Sequence, residues 1–330
     1  NKLCQYVFKN GDERSKTRAL LCSVFHHALH DRFYHARDLF LISHIQDVID
    51  KADTKTQILY NRVLATLGLS AFREGLIQKA YDCLTNICAV KSSQVKELLA
   101  QGQVRYSDKD VEQERLERRR LIPYHMHINP DLLDCCYLVC AMLLELPQMA
   151  KNDSSQPYSY RNATFRRYFN TYQRQTFTGP PENTREHVLA AAKALLTGDW
   201  KSGTDYILKM DVWNLIPNEG GAAVKKQLYA KIKEEAVRVY LLSAGVAAYT
   251  SMKVAHLCEV FEMEAPQVRR IVSKMIFNKE FSAAWDGNDS LVLHKSDPSP
   301  LQSLSLKVAV SVAGLVESNE RLLDPLAGGQ

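Results

Sequence analysis

The pattern of apolar and polar positions over the C-terminal third of the chain predicts two successive helices. In 252–263 and again from Pro266 onward, apolar side chains recur at steps of three and four residues, which is typical of one buried helix face. Pro266 suits the first position of a helix because its missing N–H would have no partner there. A longer helix, predicted at 222–243, precedes this pair.

Two short apolar runs follow the helices. They occupy 281–285 and 291–294, and the sequence Asp-Gly-Asn-Asp lies between them at 286–289. This turn sequence between apolar runs predicts a β-hairpin. Two helices followed by a hairpin indicate a winged helix, a module that reads nucleic acid or joins subunits. Because a hairpin leaves an open edge for a partner strand, the residues expected to contact another subunit here are Trp285, Leu291, Val292 and Leu293.

A last helix is predicted from about Leu301. Its apolar residues recur at three-, four- or seven-residue steps and form one stripe: Leu304, Val308, Val312, Leu315 and Leu322, widened by Val310 and Val316. An isolated helix of this length is marginal in water, so the stripe must be buried. It packs either on the chain's own winged helix or on helices of neighbouring subunits.

The N-terminal part has the pattern of a degenerate helical repeat. Small residues stand on both sides of three predicted turns, near Ala28, Ala71 and Ala194, and would allow antiparallel helices to approach closely. The spacing between copies varies, so the array is similar to tetratricopeptide repeats without a strict period. The predicted fold is therefore mainly α, with a helical-repeat region at 1–224, a winged helix with a small β-hairpin at 225–296 and a C-terminal helix at 297–330.

Two features interrupt this array. An apolar helix is expected to begin at Pro130 and to end before Pro147, and a polar linker is expected at 151–159. The longest apolar run of the chain, 135–144, lies in this helix and has about half the length that is needed to cross a bilayer. We therefore interpret the helix as a core helix and expect no membrane segment.

A helix at 161–177 places aromatic and basic side chains on different faces. Phe165, Tyr168, Phe169 and Tyr172 share one side, which we expect to pack on the core, while Arg167 and Arg174 point outward. Outward arginines are candidates for phosphate contact. On the third helix of the C-terminal region, Arg270 and Lys274 lie on one side, beside the apolar Phe277. These four cations are the candidate RNA contacts.

Length and charge place only weak limits on the number of domains and on the kind of partner. The chain has 330 residues, which fits two domains or an elongated array, and 42 basic against 37 acidic residues give a net charge of +5. That charge is too weak to indicate a nucleic-acid partner by itself.

Since the first residue is Asn1, we expect a fragment of a longer protein. The charged segment 105–122 is interpreted as a solvated helix face. The eight cysteines indicate a reduced cytosolic or nuclear protein.

No motif in the sequence indicates catalysis. His26 and His30 have metal-ligand spacing and His125 and His127 form a second pair, but neither pair is accompanied by another local pair, as zinc would require. The turn at 286–289 resembles the start of a calcium loop but lacks its glycine. No phosphate-binding glycine loop or nucleophile motif occurs. We therefore expect no enzyme and no cofactor; a metal hydrolase using His125 and His127 is the remaining catalytic alternative.

Helical repeats that lead into a winged helix and a terminal helix are similar to the PCI domain. Several longer segments resemble, in the same order, the c subunits of eukaryotic translation initiation factor 3. These segments are 6–14 (YVFKNGDER), 26–30 (HHALH), 117–129 (ERRRLIPYHMHIN), 179–182 (GPPE), 185–188 (REHV), 198–201 (GDWK), 271–276 (IVSKMI) and 315–321 (LVESNER). The chain departs from the family at 151–160, 218–223 and 244–251.

This resemblance implies a non-catalytic, cytoplasmic scaffold subunit without a cofactor. Its PCI domain would pair with the related a subunit, and the assembly would bind the small (40S) ribosomal subunit, both protein and rRNA. The N-terminal region that recruits other initiation factors in this family would be absent. Two alternatives stay open: a PCI subunit of the proteasome lid or the COP9 signalosome, and a winged-helix regulator that binds nucleic acid.

Overall fold

The computed structural model describes residues 2–88, 128–151, 162–175, 179–216, 220–245, 248–287, 290–293 and 300–327. Within these ranges the fold is mainly α with one small antiparallel sheet, as predicted. The helices are α1 Lys2–Asn10, α2 Glu13–Leu29, α3 Phe33–Ile42, α4 Thr54–Arg73, α5 Ile77–Cys88, α6 Pro130–Ala150, α7 Ala163–Arg174, α8 Thr184–Thr197, α9 Trp200–Leu208, α10 Gly220–Tyr240, α11 Val254–Phe261, α12 Ala265–Phe277 and α13 Pro300–Ala327. The strands are β1 Ser251–Lys253, β2 Ala283–Asp286 and β3 Ser290–Leu293.

The chain divides into two compact units. One contains the described residues up to Leu146 and those from Asn162 to Ala236, and the other contains Pro147–Lys151 and those from Val237 onward. The charged segment 105–122, His125, His127 and the predicted linker after Lys151 lie outside the described residues.

Three helix pairs in the first unit are joined by the same turn. In the turns after α2, α4 and α8, an N–H donates to a carbonyl five residues earlier: Arg32 to His27, Leu76 to Ala71 and Asp199 to Ala194. The residue before each donor has a left-handed backbone, with φ of +55° at Asp31, +77° at Gly75 and +92° at Gly198. This is the Schellman ending of a helix, which favours glycine. The repeat predicted from small residues is thus a repeat of one turn geometry.

Small residues lie where these helices cross. A Cβ added to Gly68 of α4 would lie 2.6 Å from Leu84 of α5, and one added to Gly203 of α9 would lie 2.9 Å from Leu195 of α8. Ala28 of α2 and Ala36 of α3 are fully buried in the remaining pair, and Ala71 and Ala80 are fully buried on α4 and α5. Close approach of the backbones therefore depends on the absence of larger side chains.

Helix α6 lies in the core of the structure. It is long and apolar enough to cross a membrane by length and composition, but 78% of its most apolar stretch is buried inside the protein. Burial of this kind is typical of a core helix, in agreement with the prediction. The predicted end at Pro147 is wrong, because the helix continues to Ala150. A proline inside a helix cannot donate its own backbone hydrogen bond, yet the turn after Pro147 is kept, because the Lys151 N–H donates to the Pro147 carbonyl at 3.2 Å.

The second unit contains the winged helix. β3 pairs antiparallel with β1 on one side and with β2 on the other, giving the order β1-β3-β2. α11 and α12 supply buried side chains, including Leu257, Phe261, Val268 and Val272. The predicted hairpin is present, but the prediction of a helix from residue 252 is wrong at its start. Ser251–Lys253 form a strand that pairs with β3, and α11 begins only at Val254.

Candidate interaction surfaces

The predicted hairpin contacts do not lie on one surface. Leu291 and Leu293 are buried, and their strand β3 is the middle strand of the sheet. Val292 is half-buried and is opposite Ser251 on one side and Ala284 on the other. Among the described residues, the backbone edge of β2 has no partner strand, and Ala284, Trp285 and Asp286 are exposed there. Of the four predicted residues, only Trp285 lies at this edge.

Trp285 joins the sheet to the exposed side of α12. Its side chain is 38% exposed, and its Nε1–H donates to the Ser273 hydroxyl at 3.2 Å. On the same helix Arg270 and Lys274 are exposed, as predicted from their spacing, and Phe277 is 86% exposed. The outward face of α12 therefore combines two cations with an uncovered aromatic ring.

The predicted apolar stripe on α13 is exposed. Leu304, Val308, Val312 and Leu315 are each at least half exposed, as are the flanking Val310 and Val316. The side chain of Leu322 lies outside the described residues, although its backbone belongs to the helix. No described part of the chain covers this stripe. An uncovered apolar stripe of such length usually marks a contact with other molecules.

A groove of about 670 Å³ separates α7 from α8. Arg167, Tyr168 and Tyr172 contribute to it from α7, and Arg185 and Glu186 from α8. Phe165 and Phe169 point away from it and are buried, as the sequence predicted, whereas the two tyrosines are half-buried at its wall. Arg174 is exposed at the end of α7.

Charged and aromatic groups are already organised within this groove. The Arg185 guanidinium lies over the Tyr168 ring, 4.4 Å from its centre. Burial raises the pKa of the Tyr172 hydroxyl, with smaller contributions from Tyr206 and Glu186, so this phenol stays protonated at neutral pH. The Glu186 carboxylate accepts from the backbone N–H of Glu182 at 3.1 Å and from Asn183, and these bonds lower its pKa.

A buried polar network fixes the start of α7. The fully buried Glu145 of α6 accepts from the Asn162 backbone N–H at 2.8 Å and from Arg166 Nε at 2.9 Å. The Asn162 side chain caps α7 by accepting from the Phe165 N–H and donates to the Tyr137 hydroxyl. Arg166 therefore serves packing, whereas its neighbour Arg167 faces the groove. In the sequence, the only sign that Arg166 and Arg167 have different roles is that they lie on different faces of the helix.

The histidine spacing near the N-terminus does not produce a metal centre. His26 and His30 are stacked edge to face with ring centres 4.5 Å apart, and His27 and His35 with centres 4.4 Å apart. Among the described residues, no group of three or more potential ligands could hold a metal ion. In α6, burial raises the pKa of the Cys135 thiol to about 12, so it behaves as a small apolar side chain.

Two contacts between helices of the first unit are not visible in the sequence. Arg185 was not recognised as a partner of Tyr168 because the two residues lie on separate helices. Lys233 of α10 is buried, with its Nζ 4.6 Å from the ring centres of both Trp200 and Tyr229. The i,i+4 spacing of Tyr229 and Lys233 is the only sequence signal for this arrangement.

Comparison with known families gives two matches in chain order. The family described as the N-terminus of eukaryotic translation initiation factor 3 subunit 8 matches residues 1–156, and the PCI domain matches residues 209–295. The second match includes the strand β1, the helices α11 and α12 and the strands β2 and β3.

Curated relatives are similar over the whole chain. The C subunit of eukaryotic translation initiation factor 3 from Pyricularia oryzae is 44% identical over 335 residues, which cover 100% of this chain and 38% of that protein. Proteins of the same name from Culex quinquefasciatus and Danio rerio are 44% and 43% identical, over 99% and 98% of this chain and 36% and 35% of their own lengths. The chain thus spans little more than a third of the relatives that it matches.

Proposed function

The chain belongs to the family of C subunits of eukaryotic translation initiation factor 3, and we propose on that premise that it acts as a non-catalytic scaffold subunit of this factor. In this role it pairs with other PCI-domain subunits and helps the assembly to bind the 40S ribosomal subunit. Its place of action is the cytoplasm, where initiation occurs.

The uncovered stripe of α13 is the observation that most supports a scaffold. The helix has 28 residues, and its described apolar side chains are exposed. Burying such side chains contributes roughly 25 cal/mol per Å² of apolar area, so a partner helix placed on the stripe would be stabilised substantially. A scaffold protein needs a long contact surface of this kind.

Pairing with another PCI subunit is proposed at the free edge of β2. Strand edges present unpaired N–H and C=O groups that a partner strand can satisfy, and neighbouring side chains then provide specificity. Trp285 supplies apolar area beside this edge. The a subunit is the proposed partner. The buried Leu291 and Leu293 would support this surface from below rather than contact the partner.

Contact with the ribosome is proposed through four exposed cations, Arg167, Arg174, Arg270 and Lys274. Within the described residues their side chains form no ion pair, so they are available for phosphate oxygens. Two cations on each of two helices give weak, salt-sensitive binding without base specificity. Reversing Arg167 and Arg174 to Glu should lower ribosome association and leave assembly of the complex intact. Ribosome association that ignores both the substitutions and the salt concentration would contradict these contacts.

Co-purification tests the proposed function as a whole. A tagged copy of the chain, expressed in eukaryotic cells, should recover other subunits of initiation factor 3 together with 40S proteins. Recovery of proteasome-lid or signalosome subunits instead would assign it to another PCI complex. Recovery of neither class, with tight binding of duplex DNA at physiological salt, would favour a nucleic-acid-binding regulator.

A further inference from the structure

The groove between α7 and α8 contains two arginines that no carboxylate neutralises within the described residues. Arg167 and Arg185 both line it and both are exposed. Their neighbour Arg166 is paired with Glu145, and Arg73 and Arg238 are likewise paired with carboxylates, at 2.6 and 2.8 Å. The groove is therefore a concave site with two free guanidinium groups facing the same space.

One of these guanidinium groups lies over an aromatic ring. Arg185 lies over Tyr168 at 4.4 Å from the ring centre, and the tyrosine limits the motion of the charged group. Because Arg185 is exposed, its guanidinium group remains accessible to a ligand. Planar guanidinium groups and aromatic rings are the two surfaces on which unpaired nucleic-acid bases stack.

The remaining polar groups suit an anionic, hydrogen-bonding ligand. Tyr172 presents a protonated hydroxyl, and Thr171 and Gln175 add further polar side chains to the wall. Glu186 is the acidic member of the lining, and it already accepts hydrogen bonds from Glu182 and Asn183. The Glu186 carboxylate therefore bonds to the backbone and side chain at the start of its own helix, and the two arginines give the groove a net positive charge.

We propose that this groove binds a single-stranded segment of RNA, with one base stacked on the Tyr168–Arg185 pair and the adjoining phosphate against Arg167. The proposal rests on the ribosome-binding role given above and assigns Arg185 and the tyrosines to it. A duplex hides the faces of its bases and cannot use the stacked pair. An acidic protein segment matches the charge of the arginines but lacks the planar group that the stacked pair accommodates.

Anisotropy of a short labelled oligouridylate measures this binding directly on the chain. Arg185→Lys keeps the charge and removes the planar group, so we expect about tenfold weaker binding, as for loss of one stacked base. Arg37→Lys is the matched control, because the Arg37 guanidinium lies 5.3 Å from the Tyr34 ring centre on α3, away from the groove. It should bind oligouridylate like the unchanged chain, and both variants should melt at the unchanged temperature.

Two results would overturn the proposal. Arg185→Lys could bind oligouridylate as tightly as the unchanged chain, or oligoglutamate of equal length could compete as well as unlabelled oligouridylate; the second result would indicate an acidic protein ligand. Recovery of partner subunits separates this inference from the scaffold role. It should be the same for Arg185→Lys and the unchanged chain, whereas failure of the unchanged chain to recover partners would reject the scaffold role whatever the RNA result.

Discussion

The contribution of an arginine to the stability of this protein depends on whether its partner charge is buried. Glu145 is completely buried, and its carboxylate accepts hydrogen bonds from two groups, the Asn162 backbone N–H and the Arg166 guanidinium. Arg166 and Arg167 are adjacent in sequence, yet only Arg166 compensates a buried charge. Their substitution should therefore have different consequences.

We expect Arg166→Met to destabilise the fold and Arg167→Met to leave it almost unchanged. Removing one partner of a buried ion pair strands the other charge and costs about 3 kcal/mol. An exposed, unpaired arginine contributes within about 0.5 kcal/mol. Urea unfolding of the two variants compares these free energies directly. Equal midpoints for both variants would show that the Glu145 carboxylate does not require Arg166.

The histidine cluster of α2 and α3 should make stability depend on pH. Burial is the largest cause that lowers the pKa of His27 in the folded state, and four cationic or titratable neighbours add to it: His35, His26, Arg32 and His30. The unfolded chain then binds a proton that the folded chain resists. The free energy of unfolding should therefore fall as the pH decreases from neutrality through the ordinary histidine pKa of 6.5.

His27→Gln should flatten this pH dependence. Chemical unfolding at pH 7.5 and at pH 5.5 gives the comparison, and His44→Gln serves as the control because His44 lies outside the cluster. An undiminished loss of stability at the lower pH in His27→Gln would mean that other groups cause it.

At the scale of elements, glycines at the helix crossings should behave differently from glycines at free surfaces. Gly203→Ala would place a Cβ 2.9 Å from Leu195 Cγ, so we expect a loss of about 1–3 kcal/mol from overpacking despite the better helix propensity of alanine. Gly314 of α13 has nothing within 4 Å, and Gly314→Ala should stabilise its helix by up to about 1 kcal/mol. Thermal melting followed by circular dichroism should show a lower melting temperature for Gly203→Ala and a higher one for Gly314→Ala.

The sheet edge offers a test of PCI pairing that leaves the sheet intact. Ala284→Lys adds a long charged side chain to an exposed position of β2, and lysines on edge strands prevent edge-to-edge pairing. We expect unchanged melting and loss of the PCI partner in co-purification. Val292→Pro is unsuitable for this test, because Val292 lies in the middle strand and the substitution would disrupt the sheet itself. Full recovery of the partner with Ala284→Lys would place the pairing surface elsewhere.

Local patterns predicted the elements but not their neighbours. The helical periods of α12 and α13, the β-hairpin and the family resemblance are all visible in the sequence and are confirmed. β1 was missed because three residues give too short an alternation and merge into the period of α11. Its pairing with β3, as in Ser251 with Val292, spans a long stretch of chain and moves β3 from the edge to the middle. The contact between Tyr168 and Arg185 is likewise not predictable from local patterns, because the two residues lie on separate helices.

At the scale of the whole molecule, the terminal helix should matter for assembly rather than for folding. Val308→Asp with Leu315→Asp places two charges on the stripe, and each would be costly to bury against a partner. Because both side chains are more than half exposed in the chain alone, we expect unchanged melting and the loss of several partners at once. Ala313→Asp puts a charge about 140° around the helix from Val308, outside the row formed by Leu304, Val308, Val312 and Leu315, and should retain the partners. Unfolding of the stripe variant by itself would show that α13 belongs to the local core.

On the proposed scaffold role, the same uncovered helix implies that the amount of this protein in a cell would be tied to that of its partners. A copy made in excess leaves a long apolar surface in water, and such surfaces promote aggregation and recognition by chaperones and proteases. Association with a partner would remove that surface, so assembled copies would persist while unassembled copies would be degraded. Through α13, the composition of the complex would be controlled by degradation of surplus subunits as well as by their rates of synthesis.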